Sequence, residues 1–427
     1  MSKSIKRKKL DDVLFSLYCE KNSDGTRHLR LRGRELFQRI GRRLSEDDMQ
    51  QLTIFLTKNP EVTSLDLSYN NFGNYGIQIL SQNYLNTENN LSYLNLLHCD
   101  IGVEGMKWLS SGAFLRFKGI RLLGNKLGVE GARYIGQLIE NCPTLEDLDI
   151  GETDQTLESI ESLLIIIEKN PLKTLNMSRI IPNSYYARCN NSTLADDLGV
   201  LLKLNQTLEE IAVQKCEFDG HDLELLVAGL QVHRNLLVLD LGANRIGDHG
   251  IEVLITWLKT RPLLNVLRIP SNAVTNIGAR ALSFFLPFTR IRLLDLQNNK
   301  IGDQGISNML DSIKKPTPLR ILYIWGNSVG DYSLQKIERL LNAGVLDQGF
   351  IDIKIYYVDG QRKCAHHATD RYKTKLYSTL KYGFSPDPKI KTNKVPEAAS
   401  RTHALIAANF LDRFPPVEFS LSEKDSV

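Results

Sequence analysis

One apolar frame recurs throughout residues 62–345, and it constrains the fold more than any other feature of the chain. Its cleanest copies read Leu-x-x-Leu-x-Leu-x-x-Asn-x-Ile. The intervals between copies are 26–29 residues, with one exception of 36 residues. Ten copies at one period predict a repeat solenoid, in which each repeat buries its apolar side against its neighbours. The second apolar position of each copy stands at 65, 94, 120, 148, 175, 211, 239, 267, 294 and 322.

Each repeat contains more than a strand. After the Asn position comes a turn with two glycines, such as Gly247 and Gly250, and then an apolar pattern of helical period. In that copy Ile251, Leu254 and Leu258 are spaced to share one helix face. The sequence therefore predicts one short strand and one full helix per repeat. The Asn is placed to bond backbone groups of the turn, and the cysteines that replace it at 99 and 216 are interpreted as small buried groups.

The frame resembles the ribonuclease-inhibitor-like class of leucine-rich repeat proteins. This resemblance implies an α/β solenoid of horseshoe shape, with parallel strands on the concave face and helices on the convex face. It implies no single function, because the same frame serves inhibitors, innate-immune sensors, a Ran GTPase-activating protein and cytoskeletal scaffolds.

Charge divides the chain as clearly as the repeat does. The formal net charge is only +4, but residues 1–43 carry +8 and residues 360–427 carry +5, so the chain between them carries −9. We predict a basic N-terminal segment and cap (1–61), ten repeats (62–345) with an insertion near 178–193, a terminal strand or cap (346–359) and a basic C-terminal arm (360–427). Two basic ends on an acidic body indicate contact with acidic partners.

Residues between the inward-pointing apolar positions are expected on the concave face. At the C-terminal end of the repeats these are Tyr323 and Trp325, beside Asp295 and Gln297, with Arg268 on the strand before. Aromatic side chains with a neighbouring Arg are typical of binding hot spots. The alternative is that Trp325 folds over the last repeat as a cap.

Two further surfaces are candidates. The insertion carries Tyr185, Tyr186 and Arg188, which are expected at the rim if the loop binds a partner; the alternative is a plain surface loop. An arginine-rich stretch before the repeats would contact an acidic polymer or acidic protein surface, or would simply be a solvated face. Its arginines are Arg30, Arg32, Arg34, Arg39 (next to Gln38), Arg42 and Arg43.

Motifs of catalysis are absent from the sequence. There is no phosphate-binding loop, nucleophile elbow or His-Glu-x-x-His motif. Cys364, His366 and His367 form a cluster but lack a fourth ligand at metal-binding spacing. The six cysteines form no Cys-x-x-Cys pair, which favours a reducing compartment over a disulfide scaffold or a zinc ribbon. We predict no catalytic residue, no metal ligand and no cofactor.

The ends of the chain carry a second resemblance. Residues 42–60, with Arg-Arg-Leu-Ser-Glu-Asp-Asp-Met, and the Tyr-Tyr-Val-Asp-Gly segment at 356–360 are similar to a leucine-rich repeat family of ciliated and germ cells. This implies a part in the axoneme, or alternatively a nucleolar adaptor.

We therefore predict a non-enzymatic, cytoplasmic scaffold in the cilium or flagellum. Its partners would be proteins of a large assembly, such as axonemal complexes or tubulin. Membranes, nucleic acid and small-molecule substrates are not expected. A Ran GTPase-activating role is a further alternative, but the basic C-terminal arm departs from the acidic C-terminal region of that family.

Overall fold

The computed structural model of the protein describes residues 10–22, 24–182, 191–313 and 318–367. The chain forms two compact units, the first containing the described residues up to 182 and the second those from 191 onward. Among the helices described in these ranges, none combines the length and the apolar composition needed to cross a membrane.

In the first unit, seven strands lie side by side in chain order. β1 is antiparallel to β2, and all later neighbours are parallel. The strands are β1 Cys19–Lys21, β2 Arg27–Arg30, β3 Val62–Asp66, β4 Tyr93–Asn95, β5 Gly119–Arg121, β6 Asp147–Asp149 and β7 Thr174–Asn176. The helices are α1 Asp12–Leu17, α2 Gly33–Ile40, α3 Glu46–Lys58, α4 Gly73–Leu80 with a π-helical turn Ser81–Leu85, α5 Val103–Ser110, α6 Gly128–Asn141 and α7 Leu157–Glu168.

In the second unit, five parallel strands, β8 to β12, again follow chain order, and an antiparallel hairpin of β13 and β14 comes after them. The strands are β8 Glu210–Ala212, β9 Val238–Asp240, β10 Val266–Arg268, β11 Leu293–Asp295, β12 Ile321–Tyr323, β13 Ile353–Val358 and β14 Gln361–His366. The helices are α8 Asn191–Leu204, α9 Gly220–Leu230, α10 Gly247–Leu258, α11 Asn276–Phe285, α12 Asp303–Ile313 and α13 Asp331–Asn342, with 3₁₀ turns at Leu286–Phe288 and Gln348–Phe350.

The predicted α/β leucine-rich repeat solenoid is confirmed. Each of the ten predicted apolar centres lies within a strand of its own, β3 to β12, and each is buried. The helix predicted after position 246 is α10, and its residues Ile251, Leu254 and Leu258 are buried. Gly247 opens this helix with φ +57°, a backbone conformation that favours glycine.

The Asn position that follows many of the strands forms hydrogen bonds between neighbouring repeats. Asn244 donates from Nδ2 to the carbonyl oxygens of Val213 and Leu241 at 2.9 and 2.8 Å, and its Oδ1 accepts the backbone N–H of Cys216 at 2.9 Å. Where Cys99 takes the Asn position, its thiol donates to the Leu67 carbonyl at 3.1 Å. Burial raises the pKa of the Cys99 thiol, so the group stays neutral.

The two ends of the repeat array differ from the sequence prediction. Before residue 62 the chain supplies two strands, since β2 pairs in parallel with β3 and β1 closes the edge. After the repeats, residues 350–358 were expected to form a final edge strand, but β13 pairs with β14 instead. A single bridge, Leu322 to Ile351, joins this region to β12. The predicted boundary after 359 falls inside the hairpin, at its Asp359-Gly360 turn.

Candidate functional site

Alternate residues of each strand point to the side of the sheet opposite the central leucines. We call this side, the predicted concave face, the sheet surface. In the second unit, parallel pairing places Asp240, Arg268, Asp295 and Tyr323 in one row across β9 to β12. The structure therefore brings together three of the residues predicted for partner binding and adds Asp240 to them.

Trp325 and Gln297, the other two predicted residues, meet at an aspartate that follows the repeats. Asp352 accepts the backbone N–H groups of Ile324 and Trp325 at 2.8 and 3.0 Å and the Gln297 side-chain amide at 2.7 Å. The Trp325 ring packs on the His366 ring with centroids 5.4 Å apart. Trp325 is half-buried, so it takes part in the C-terminal cap while part of its ring stays accessible.

The electrostatics of the row centre on Asp295. Burial raises the pKa of Asp295 to about 6, since the carboxylate loses hydration that Arg268 and the Gln297 backbone N–H only partly replace. Asp240 and Asp352 add to the upward shift.

Sequence reasoning missed an apolar strip on the same surface. The strip lies on the same face, two residues before the charged row on each strand. It consists of Val238, Val266, Leu293 and Ile321, which form with Tyr323 a cluster that is 0–7% exposed. In the first unit the same strand position holds polar or small residues such as Ser64, Gly119 and Thr174 on several strands. The strip could have been found by comparing the residues that stand two positions before the charged row in each repeat.

The arginines of the predicted basic patch lie in the first unit and have acidic partners of their own. Arg32 donates from Nε to the Asp66 carboxylate at 2.6 Å. Arg30 pairs with Glu35. Arg42 forms a two-bond contact with Asp48 at 2.6 and 2.8 Å.

The other arginines of the patch pack on nearby side chains. The guanidinium of Arg34 lies 3.8 Å from the centre of the Tyr69 ring, and that of Arg39 lies 5.5 Å from the Tyr18 ring. Arg43 donates to the side-chain oxygen of Asn71 at 3.3 Å. Much of the charge expected to face a partner is thus engaged within the protein, which was not evident from sequence because several partners lie 28–35 residues away.

Two predicted regions cannot be placed on these surfaces. Tyr185, Tyr186 and Arg188 of the insertion lie outside the described residues, as does the C-terminal arm beyond residue 367.

Comparisons with known proteins agree with this architecture. Residues 58–81, 88–110, 232–254 and 291–310 match the family described as "Leucine Rich repeat". The ribonuclease inhibitor of Sus scrofa is 29% identical over 72% of this chain and 66% of its own length. The leucine-rich repeat-containing protein 34 of Mus musculus is 28% identical over 49% of this chain and 50% of its own.

A third relative is much longer than this chain. The NACHT, LRR and PYD domains-containing protein 14 of Mus musculus is 25% identical over 61% of this chain but only 26% of its own length. This chain thus spans about two thirds or less of each relative. The resemblance to the ribonuclease-inhibitor-like class has a counterpart in the first of these relatives, and the second resemblance, carried by the ends of the chain, has one in leucine-rich repeat-containing protein 34.

Proposed function

We propose that this chain, a leucine-rich repeat protein similar to ribonuclease inhibitors, is a non-enzymatic scaffold that binds another protein on the sheet surface of the second unit. The observation that carries this proposal is the row Asp240, Arg268, Asp295 and Tyr323, backed by the apolar strip and continued by Trp325. Aromatic and Arg side chains are enriched at protein interfaces.

The residues that continue the row are held in place before any partner arrives. Asp352 anchors the turn after β12 that carries Trp325, and it accepts a hydrogen bond from the Gln297 side chain. The apolar strip leaves little area of its own exposed, so its role is to keep the neighbouring strands rigid. A surface that is already ordered loses less conformational entropy on binding.

More finely, we propose that the bound partner is a component of the ciliary or flagellar axoneme, such as tubulin or a tubulin-associated complex. This finer proposal is supported by the similarity to leucine-rich repeat-containing protein 34 and by the net charge of +5 on residues 360–427, which suits an acidic partner. Tagging the protein in ciliated cells tests it. Signal along the axoneme is expected, whereas nucleolar signal would favour the nucleolar adaptor instead.

The binding surface is tested with paired substitutions in the full chain. Tyr323→Ala with Trp325→Ala should reduce capture of axonemal proteins from ciliated cells at least tenfold. Phe284→Ala is the matched control, because Phe284 is an exposed aromatic on α11 and lies outside the sheet surface. Unchanged capture by the double variant, with loss on deletion of the C-terminal arm, would assign binding to the arm and refute the sheet-surface proposal.

The non-enzymatic part has its own test. Purified protein should leave the rate of GTP hydrolysis by Ran at the level of buffer. A stimulated rate would show that the protein is a GTPase activator.

A further inference from the structure

We propose that His221, Glu224 and His249, on the helix layer of the second unit, form a binding site for a divalent transition-metal ion of the zinc class. This inference goes beyond the proposed scaffold function and rests on different residues. Two imidazoles and one carboxylate are a ligand set that zinc uses in proteins when a fourth position is left open.

The three side chains already converge. Oε1 of Glu224 lies 2.8 Å from Nε2 of His249 and 3.4 Å from Nδ1 of His221. The three ligand atoms all lie within 4.8 Å of one another, and the two imidazole rings have centroids 4.9 Å apart. Ligands bound tetrahedrally to zinc at about 2.0–2.1 Å are separated by about 3.4 Å. Small side-chain rotations would therefore suffice to enclose an ion.

The repeat explains why the two histidines meet. His221 and His249 stand at the same position of consecutive repeats, three residues after the apolar residues Phe218 and Ile246. Parallel stacking of repeats places such positions side by side. Glu224 is one helical turn beyond His221 on α9, so it joins the same patch.

The backbone that carries these ligands is closely supported. At the start of α9, the Asp219 carboxylate accepts the N–H groups of His221 and Asp222 at 2.8 and 3.1 Å. Gly220 allows the start of α10 to approach, because a Cβ at that position would lie only 2.6 Å from Cδ2 of His249 and 3.0 Å from the backbone nitrogen of Gly250. Ligands on two firmly packed helix starts favour a defined geometry.

The donor chemistry selects among metals. Imidazole nitrogens suit zinc, nickel and copper, whereas magnesium and calcium prefer sites made of oxygen ligands. All three side chains are exposed, so water or a partner's side chain can reach the open coordination position. The bound ion would join α9 to α10 and thereby stabilise the second unit.

The test uses the full chain after treatment with a chelator. Titration with Zn²⁺, followed by calorimetry and by thermal unfolding, should show saturable binding and a rise in Tm. His221→Gln with His249→Gln should weaken the zinc affinity at least tenfold and abolish that rise. His367→Gln is the matched control, since it removes a histidine of the other Cys/His cluster and should leave the zinc affinity unchanged. Mg²⁺ at the same concentration should give no rise in Tm.

Two results would overturn the proposal. One is unchanged zinc affinity in the His221/His249 variant, and the other is the absence of saturable binding to the wild-type protein at about 100 μM zinc. X-ray absorption provides a second measurement. Imidazole scattering with nitrogen or oxygen ligands at about 2.0–2.1 Å is expected, whereas a sulfur ligand at about 2.3 Å would place the ion at Cys364 and exclude this site.

Discussion

Asp66 in the first unit and Asp295 in the second occupy the same position of their repeats, yet their environments shift their pKa values in opposite directions. Both are almost fully buried, at 2% and 6% exposure. Burial raises the pKa of each, but at Asp66 the Arg32 guanidinium and the hydrogen bonds from Ser68 outweigh it and hold the pKa below its ordinary value. At Asp295 burial prevails and the pKa is about 6. The partner supplied by the fold therefore decides whether a buried carboxylate adds to stability or reduces it.

The signs of the pH dependence follow from this contrast. Asp66, whose pKa is lowered by folding, contributes stability above its unfolded value of about 3.9, and this contribution is lost as pH falls through its folded pKa. Asp295, whose pKa is raised by folding, favours the folded state at low pH, and that advantage is lost as pH rises through about 6.

The largest effect is expected from removing the partner of Asp66. Arg32→Ala leaves a buried carboxylate without its cation, and this should cost about 3 kcal/mol of unfolding free energy, measured by urea denaturation at pH 7. Arg27→Ala is the control, because its pair with Glu61 is 3.5 Å long and exposed. That control should cost below about 1 kcal/mol. Equal losses in the two variants would show that the Arg32 pair behaves as an ordinary surface pair.

A smaller change, this time a gain in stability, is expected in the second unit. Asp295→Asn removes the group that is costly to ionise, so its stability relative to wild type should be about 2 kcal/mol more favourable at pH 7.5 than at pH 4.5. Thermal unfolding at the two pH values measures this difference. A relative stability that is the same at both pH values would contradict the raised pKa of Asp295.

The smallest change in stability is expected from a substitution of Arg268, which lies beside Asp295. Arg268→Met removes a cation that lowers the pKa of Asp295, so the carboxylate should titrate above pH 6 in an NMR titration of the side chain. At pH 5, where Asp295 is mostly protonated, the change in unfolding free energy should stay below about 1 kcal/mol. Titration at an unchanged pH would mean that Arg268 does not act on this carboxylate.

Much of the fold could be predicted from the sequence because the same strand and helix pattern recurs in ten copies. The positions of Leu239, Leu267 and Leu294 predict strand centres and, through the common period, which residues become neighbours. The row of Arg268, Asp295 and Tyr323 follows from that register.

Contacts outside the frame could not be read in the same way. Asp352 and the β13–β14 hairpin lie after the last repeat, where no periodic neighbour indicates what they contact. β2 was also not predicted, since it lacks the Asn that follows many of the repeat strands. The pairing of Arg32 with Asp66 depends on β2 lying beside β3, which the sequence did not predict.

The contacts of Asp352 also affect which backbone groups at the end of the sheet are open to another molecule. β12 is the last strand of its sheet, and the N–H groups of Ile324 and Trp325 just beyond it could receive a strand from another molecule. Asp352 accepts both donors, while the short antiparallel strand β1 closes the sheet of the first unit at its outer side. A repeat array can in principle be extended one unit at a time, and the Asp352 contacts occupy two of the backbone donors that an added strand would use.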